Sequence, residues 1–222
     1  RSSDLLHEVP RTDALCCTGL REPKGLHERA PLLRQRGQAP LAGNGNRLQP
    51  PRLHLRPWRA EDLAPFATLN ADPEVMRHFP TTLDRAASDA LARRIDQLIA
   101  AQGWGFWAAE LRASGAFIGF IGLHRPTHLP CSPCIEVGWR LARPFWGLGL
   151  ATEGARAALE FAFHTLAADE VVAFTALSNQ RSEAVMRRLG MQRDAAPFAH
   201  PDLPDGHPLQ AHVLYRIRRP GP

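Results

Sequence analysis

Pro144-Phe145-Trp146-Gly147-Leu148-Gly149-Leu150-Ala151-Thr152-Glu153 is the most informative stretch of the chain. It follows a segment with strand character and opens a helix whose apolar residues Ala155, Leu159, Ala162, Phe163 and Leu166 recur at helical spacing. Gly147 and Gly149 let the backbone pass close to a ligand with its N–H groups exposed. Those groups, with the positive end of the helix that follows, make a site for a pyrophosphate. Taken alone, a G-x-G here fits an ordinary strand-to-helix turn equally well.

Downstream, the helix is expected to run from Gly149 to about Ala167, followed by a strand over Glu170 to Ala176. Ser178-Asn179-Gln180-Arg181-Ser182 then opens a second helix, Gln180 to Leu189, on which Ser182, Val185, Met186 and Leu189 share one face. Gly190 stops it as a left-handed cap. Asn179 by itself reads as an N-cap. A serine heading the apolar stripe is less expected, because a buried hydroxyl needs a partner. The chain closes with a short strand after Gly190 and a last strand at Ala211 to Ile217.

Upstream, Leu53-His54-Leu55-Arg56 alternates like an edge strand, and Ala60 to Asn70 reads as a short helix with Glu61 and Asp62 in its first turn. Another short helical stretch is expected after Pro73. Thr82 to Gln102 is a long amphipathic helix with Leu91, Ile95, Leu98 and Ile99 on one stripe, ended by Gly103. Trp104 to Arg112 and Ala116 to His124 are strands joined by the hairpin signal Ala113-Ser114-Gly115, and Cys134 to Ala142 is a third. The order implies one mixed α/β (α+β) domain with a mixed central sheet flanked by helices, spanning residues 51–222. Residues 1–50 show no sustained period, and Pro10, Pro23, Pro31, Pro40 and Gly43-Asn44-Gly45-Asn46 interrupt every apolar cluster. They are read as a disordered leader that buries too little apolar surface to offset its ordering entropy. The chain starts without Met, which suggests a fragment or a processed form.

Composition narrows the function classes. Residues 1–50 carry 8 Lys/Arg against 5 Asp/Glu, and residues 51–222 carry 19 against 17, so the net charge of +5 owes more to the leader than to the body. No basic run is interleaved with aromatics, which argues against a nucleic-acid partner. No apolar run approaches the roughly 18 to 20 residues that cross a bilayer, and no secretory signal is evident, so a cytoplasmic protein without a membrane partner is expected. Cys16-Cys17 and the CxxC pair Cys131 and Cys134 do not form two spaced pairs within one folded unit. Reduced, unliganded thiols are therefore preferred over zinc, and no metal is expected.

Trp-Gly-x-Gly-x-Ala-Thr-Glu after a strand, then Asn-x-x-Ser and Leu-Gly-Met some 30 to 45 residues later, resembles the GNAT N-acetyltransferases, closest to the RimJ/RimL-like branch that includes ribosomal-protein N-terminal acetyltransferases. The resemblance covers roughly Leu53 to Ile217 and implies a GNAT-like domain with acetyl-CoA as cosubstrate and an amine acceptor. That acceptor is expected to be a small molecule or a protein N-terminus, and the protein a monomer or homodimer. By the same resemblance, the amides of Trp146, Gly147, Leu148, Gly149, Leu150, Ala151 and Thr152 hold the pyrophosphate of CoA. Asn179 and Ser182, with Met186 on the same helix, contact the pantetheine or the thiol end. The strand that carries Trp139, Arg140 and Leu141 pairs its backbone with the pantetheine as an added strand pairs with a sheet edge. Many relatives have Gln or Arg where Trp146 stands, and Trp there is familiar in the RimJ/RimL-like branch.

Acyl transfer to an amine needs a base for the amine, a donor for the carbonyl oxygen and a proton for the leaving thiolate. Glu136 alternates against Ile135, Val137 and Trp139 and so leaves the apolar face of its strand, either as the base or as a solvated strand residue. Gly138 beside it suggests a bulge or a close backbone approach. The family often uses a tyrosine acid, whereas Tyr215 in the last strand is the only tyrosine here, so Ser182 is taken as its substitute, directly or through water. His200, His207 and His212 crowd the tail with Asp202, and His200 is the secondary candidate base, with a structural role as the alternative. Two functional readings follow: an active acetyltransferase, or a catalytically weak acyl-CoA-binding regulatory domain.

Overall fold

The computed structural model describes residues 47–221. Among them eight strands form one sheet: β1 (Leu53–Arg56), β2 (Phe106–Leu111), β3 (Phe117–His124), β4 (Glu136–Leu141), β5 (Glu170–Ala176), β6 (Gln192–Arg193), β7 (Phe198–Ala199) and β8 (Ala211–Arg218). Among the described residues four α-helices flank it: α1 (Leu63–Ala71), α2 (Arg85–Gln102), α3 (Leu150–His164) and α4 (Gln180–Arg188). The sheet runs β1-β2-β3-β4-β5-β8-β6, with β7 also on β8. β1 to β4 pair antiparallel, and so do β5 and β8. β4 and β5 are parallel and joined by the α3 crossover, the connection that parallel strands require.

The join between β4 and β5 positions the site. The two strands share the single register pair Glu136↔Val172, while β4 stays paired with β3 along its whole length. The sheet therefore opens as a wedge beyond Glu136, leaving the β5-facing edge of β4 without a strand partner among the described residues.

Packing explains why the elements sit where they do. α2 is capped by Asp84, whose Oδ1 accepts from Ala87 N at 2.8 Å, and ends at Gly103 with φ 84°. Its buried stripe of Leu91, Ala92, Ile95 and Ile99 lies at helical spacing. α3 comes close to the sheet because Gly154 has no side chain: a Cβ there would lie 2.5 Å from Ile121 Cδ1. Trp107 and Ile121 are fully buried in the same core. No helix among the described residues is long and apolar enough to cross a membrane.

Several boundaries differ from the sequence reading. The helix after Pro73 is absent: residues 73–80 form successive turns, because Asp72 Oδ1 takes the Glu74 N–H at 2.8 Å and Pro80 has no N–H to give. α2 begins at Arg85 instead of Thr82, since Asp84 occupies the cap. No bulge occurs at Gly138, which pairs in register with Gly122. The bulge falls at Ala109/Glu110, and Gly138 instead admits the Phe106 ring, 2.9 Å from where a Cβ would stand. The leader expected over 1–50 lies outside the described residues except for its last four. Within those four, Leu48 exchanges both backbone hydrogen bonds with Leu55 at 2.9 Å, so chain assigned to the leader packs on the body.

Candidate active site

A cavity of about 830 Å³ lies along the wedge. β4 forms one wall from Glu136 to Leu141. The Trp146–Thr152 turn forms the floor at one end, and the start of α4 from Ser178 to Met186 faces β4. The 74–79 turns, with Phe106, Phe120 and Phe174, enclose the other end.

Gly147 and Gly149 both adopt left-handed backbone, φ 75° and 78°, which glycine takes without steric cost. Gly149 is the N-cap of α3, so the amides of Leu150, Ala151 and Thr152 are first-turn donors that no helix carbonyl can satisfy. Trp146 anchors the turn by donating Nε1–H to Leu141 O at 2.7 Å, and Arg181 from α4 stacks over its ring at 4.8 Å. Sequence reading missed the second anchor. Arg52 donates Nε–H to Glu153 Oε2 at 2.6 Å, Nη1–H to Leu148 O at 2.9 Å and its backbone N–H to Glu153 Oε1 at 2.7 Å. It thereby occupies the carboxylate in the first turn of α3 and holds the glycine turn at the same time. These partners lie about a hundred residues apart, so no local pattern reports them.

At the apex of the wedge Glu136 is buried, and its Oε2 has no hydrogen-bond partner among the described residues. Burial, with a smaller contribution from the charge of Cys131, pushes its carboxyl well above the usual range. Of the two readings of Glu136, the solvated strand residue does not hold. Glu136, Gly138 and Arg140 share one strand face by alternation. Arg140 donates Nη1–H to Asn70 Oδ1 at 2.7 Å and lies 4.1 Å over the Phe79 ring. Trp139 and Leu141 point to the α3 side and also border the cavity.

On α4, Asn179 is the N-cap: Oδ1 accepts from Ser182 N at 3.2 Å and Nδ2 donates to Thr175 Oγ1 at 2.9 Å. Ser182 is half-buried on the cavity wall, and Met186 is buried beneath it. Ser178 Oγ lies 3.2 Å from His78 Nδ1, joining the α4 side to the 74–79 turns across the cavity mouth.

His200 is not brought to this cavity. It is fully buried beside Phe174, Phe198 and His212, and its imidazole is lowered to about 4, by burial first and then by His212. A neutral ring packed among aromatics corresponds to the structural alternative, because the tail folds over the β5–β8 face as a second small core with Leu129, Val172, Phe174 and Leu214. Tyr215 is buried under α4, donating to Glu183 Oε2 at 2.8 Å, and does not line the cavity.

An interrupted sheet whose open seam leads to a glycine turn at a helix start is the arrangement that the resemblance to acyl-CoA-dependent transferases implies. The comparisons agree. The sequence model described as acetyltransferase (GNAT) domain matches residues 52–192, and the chain belongs to that family. It is 32% identical over 178 residues to the FsC-acetyl coenzyme A-N(2)-transacetylase of Aspergillus fumigatus, covering 76% of this chain and 74% of that one. The crystal structure of the acetyltransferase from Agrobacterium tumefaciens aligns at a TM-score of 0.64 and 27% identity, over 82% of this chain and all of that one. RimL, a ribosomal L7/L12 alpha-N-protein acetyltransferase solved with coenzyme A, shares the fold at a TM-score of 0.61 and 14% identity, over 76% of this chain and 94% of that one. The protein is an N-acetyltransferase with acetyl-CoA as its cosubstrate.

Proposed function

We propose that the chain transfers acetyl to a primary amine on a small molecule or a protein N-terminus, with Glu136 as the general base. The observation that carries this reading is the buried Glu136 Oε2, without a hydrogen-bond partner among the described residues, in the cavity at the point where β4 and β5 part. Acetyl-CoA supplies the thioester. The amides of Trp146 to Thr152 and the start of α3 hold its pyrophosphate, helped by a turn that Arg52 and Trp146 keep in place. The open edge of β4 from Val137 to Leu141 takes the pantetheine amides.

Glu136 accepts the proton that the amine gives up as it attacks the thioester carbon. A raised carboxyl is a better base once ionised, and its aromatic surroundings keep bulk water from competing. Ser182 Oγ, on the facing wall, donates a hydrogen bond to the departing sulfur, directly or through water. The proton held by Glu136 is the one that finally returns to the thiolate. Asn179 acts here by positioning, since its side chain is engaged in capping α4 and fixing Ser182.

The named acceptors of two relatives support an amine: one is an N(2)-transacetylase, the other an α-N-protein acetyltransferase. The latter also supports placing the chain in the RimJ/RimL-like branch. The test is CoA release from acetyl-CoA over a panel of amino acids, polyamines, aromatic amines and short peptides. Release with at least one amine, lost in Glu136→Gln, is expected. Tight CoA binding with no release across the panel would mark a binding-only domain instead.

A further inference from the structure

The loop that leads into β4 carries a feature the transfer reaction does not use. Cys131 and Cys134 bring their Sγ atoms to 3.0 Å, both half-buried, with exposed Pro133 between them. A disulfide requires about 2.05 Å, so about 1 Å of approach would close the bond.

The surrounding loop holds the two sulfurs together before any bond forms. Ser132 N–H donates to Leu129 O at 2.9 Å, Ser132 Oγ–H donates to Pro126 O at 2.9 Å, and Leu129 N–H donates back to Ser132 Oγ at 3.2 Å. Leu129 is itself buried in the second core, so this turn is anchored to the sheet. Much of the entropy that closing a ring costs is therefore already spent.

We propose that Cys131 and Cys134 form a redox-active dithiol that exchanges with small cellular disulfides of the glutathione class and closes to an intramolecular disulfide. Cys131 Sγ, as the thiolate, attacks one sulfur of the incoming disulfide and expels one glutathione thiolate. Cys134 Sγ, after losing its proton to water, attacks the Cys131 sulfur of the mixed disulfide and expels the second. Two protein thiols are oxidised by two electrons, one glutathione disulfide is reduced to two thiols, and the two protons end on those thiols.

The chemistry of the pair fits this order of events. The hydrogen bond from Cys134 is the main cause that lowers the Cys131 thiol to about 7, so a large share is thiolate at neutral pH. The same bond, followed by burial, raises Cys134. Capping Cys131 removes that charge and frees Cys134 for the second step. Two conditions for exchange are thus met, a nucleophilic thiolate and a resolving thiol within reach.

The test reads sulfur chemistry alone and is independent of whether Glu136 is the base. The full chain is equilibrated across a series of glutathione disulfide-to-thiol ratios, quenched with acid, alkylated and digested with trypsin. Peptide 113–140 holds both cysteines and no other. It should pass from doubly alkylated to unalkylated and two hydrogens lighter, with a single midpoint. In Cys134→Ser, which lacks the resolving sulfur, glutathione should stay on Cys131 as a stable mixed disulfide that the unsubstituted chain does not accumulate. A peptide still doubly alkylated at the most oxidising ratio would overturn the proposal. So would a stable mixed glutathione disulfide in the unsubstituted chain, or cross-linking of this peptide to another.

Discussion

Replacing Glu136 by Gln keeps the volume and removes the ionisable proton acceptor. If Glu136 takes the amine proton, kcat should fall by about a hundredfold to ten-thousandfold. That is about 2.7 to 5.4 kcal/mol of transition-state stabilisation. CoA affinity should stay within about twofold, because the pyrophosphate turn lies at the far end of the cavity from the apex of the wedge. The pH profile supplies a second readout. The base must be ionised to act, so kcat/KM rises with pH through the Glu136 transition. Burial raises that transition well above 4.5, which puts the acidic limb above the ordinary carboxylate range. The variant should lose that limb.

Stability gives a third readout. The folded protein holds the Glu136 proton more tightly than the unfolded chain does. Between the unfolded and folded transitions the native state therefore binds more protons, and stability falls as pH rises. Glu136→Gln removes this term, so the difference in thermal midpoint between variant and wild type should move in the variant's favour as pH rises from about 4.5. Turnover near the wild-type level with an unchanged acidic limb would refute the assignment. A base supplied by the acceptor itself would then be the remaining candidate.

Three further outcomes are expected. Gly149→Asp should weaken CoA binding by tenfold or more in a calorimetric titration, and by more than Gly149→Ala does. Both variants bear the left-handed strain of about 1–2 kcal/mol at φ 78°, but only aspartate adds negative charge to the helix start. Removal of residues 1–46 should leave cooperative unfolding and activity intact, whereas removal through Pro50 should lower the thermal midpoint, because Leu48 pairs with Leu55 and Pro50 is buried. Asp62→Ala should destabilise towards the low end of the roughly 3–5 kcal/mol typical of broken buried ion pairs in urea unfolding. Arg56 loses two bonds of 2.7 and 2.8 Å, yet keeps Glu110 at 2.7 Å.

What could be read from the sequence was whatever repeats locally. The Trp146–Glu153 turn, the stripes of α2 and α3 and the Ala113-Ser114-Gly115 hairpin all announce themselves within a dozen residues. Elements decided by a single side-chain bond were not legible. The turns at 73–80 depend on Asp72 competing for a backbone N–H, which the sequence does not announce. The Arg52 anchor and the burial of His200 depend on contacts far apart in the chain. Glu136 shows both limits: strand alternation took it off the α3-facing side, but that other side is covered too, with the Phe106 ring next to Gly138 and the Glu136 carboxylate.

The seam in the sheet has a consequence for handling the protein. Strand edges usually lie at the periphery, where they invite pairing with other chains. Here an inner edge is recessed, with α4 across from it and Phe174 at its inner end, so a foreign strand has little room to dock while an extended ligand does. Two half-sheets that meet at one register pair present facing edges along most of the seam, and α3 is the crossover that links them in the chain. A molecule seated there acts as mortar as well as reagent. Its binding energy becomes resistance to unfolding, about 2.7 kcal/mol at a hundred times the dissociation constant. Coenzyme A should therefore raise the thermal midpoint, and by more as its concentration rises.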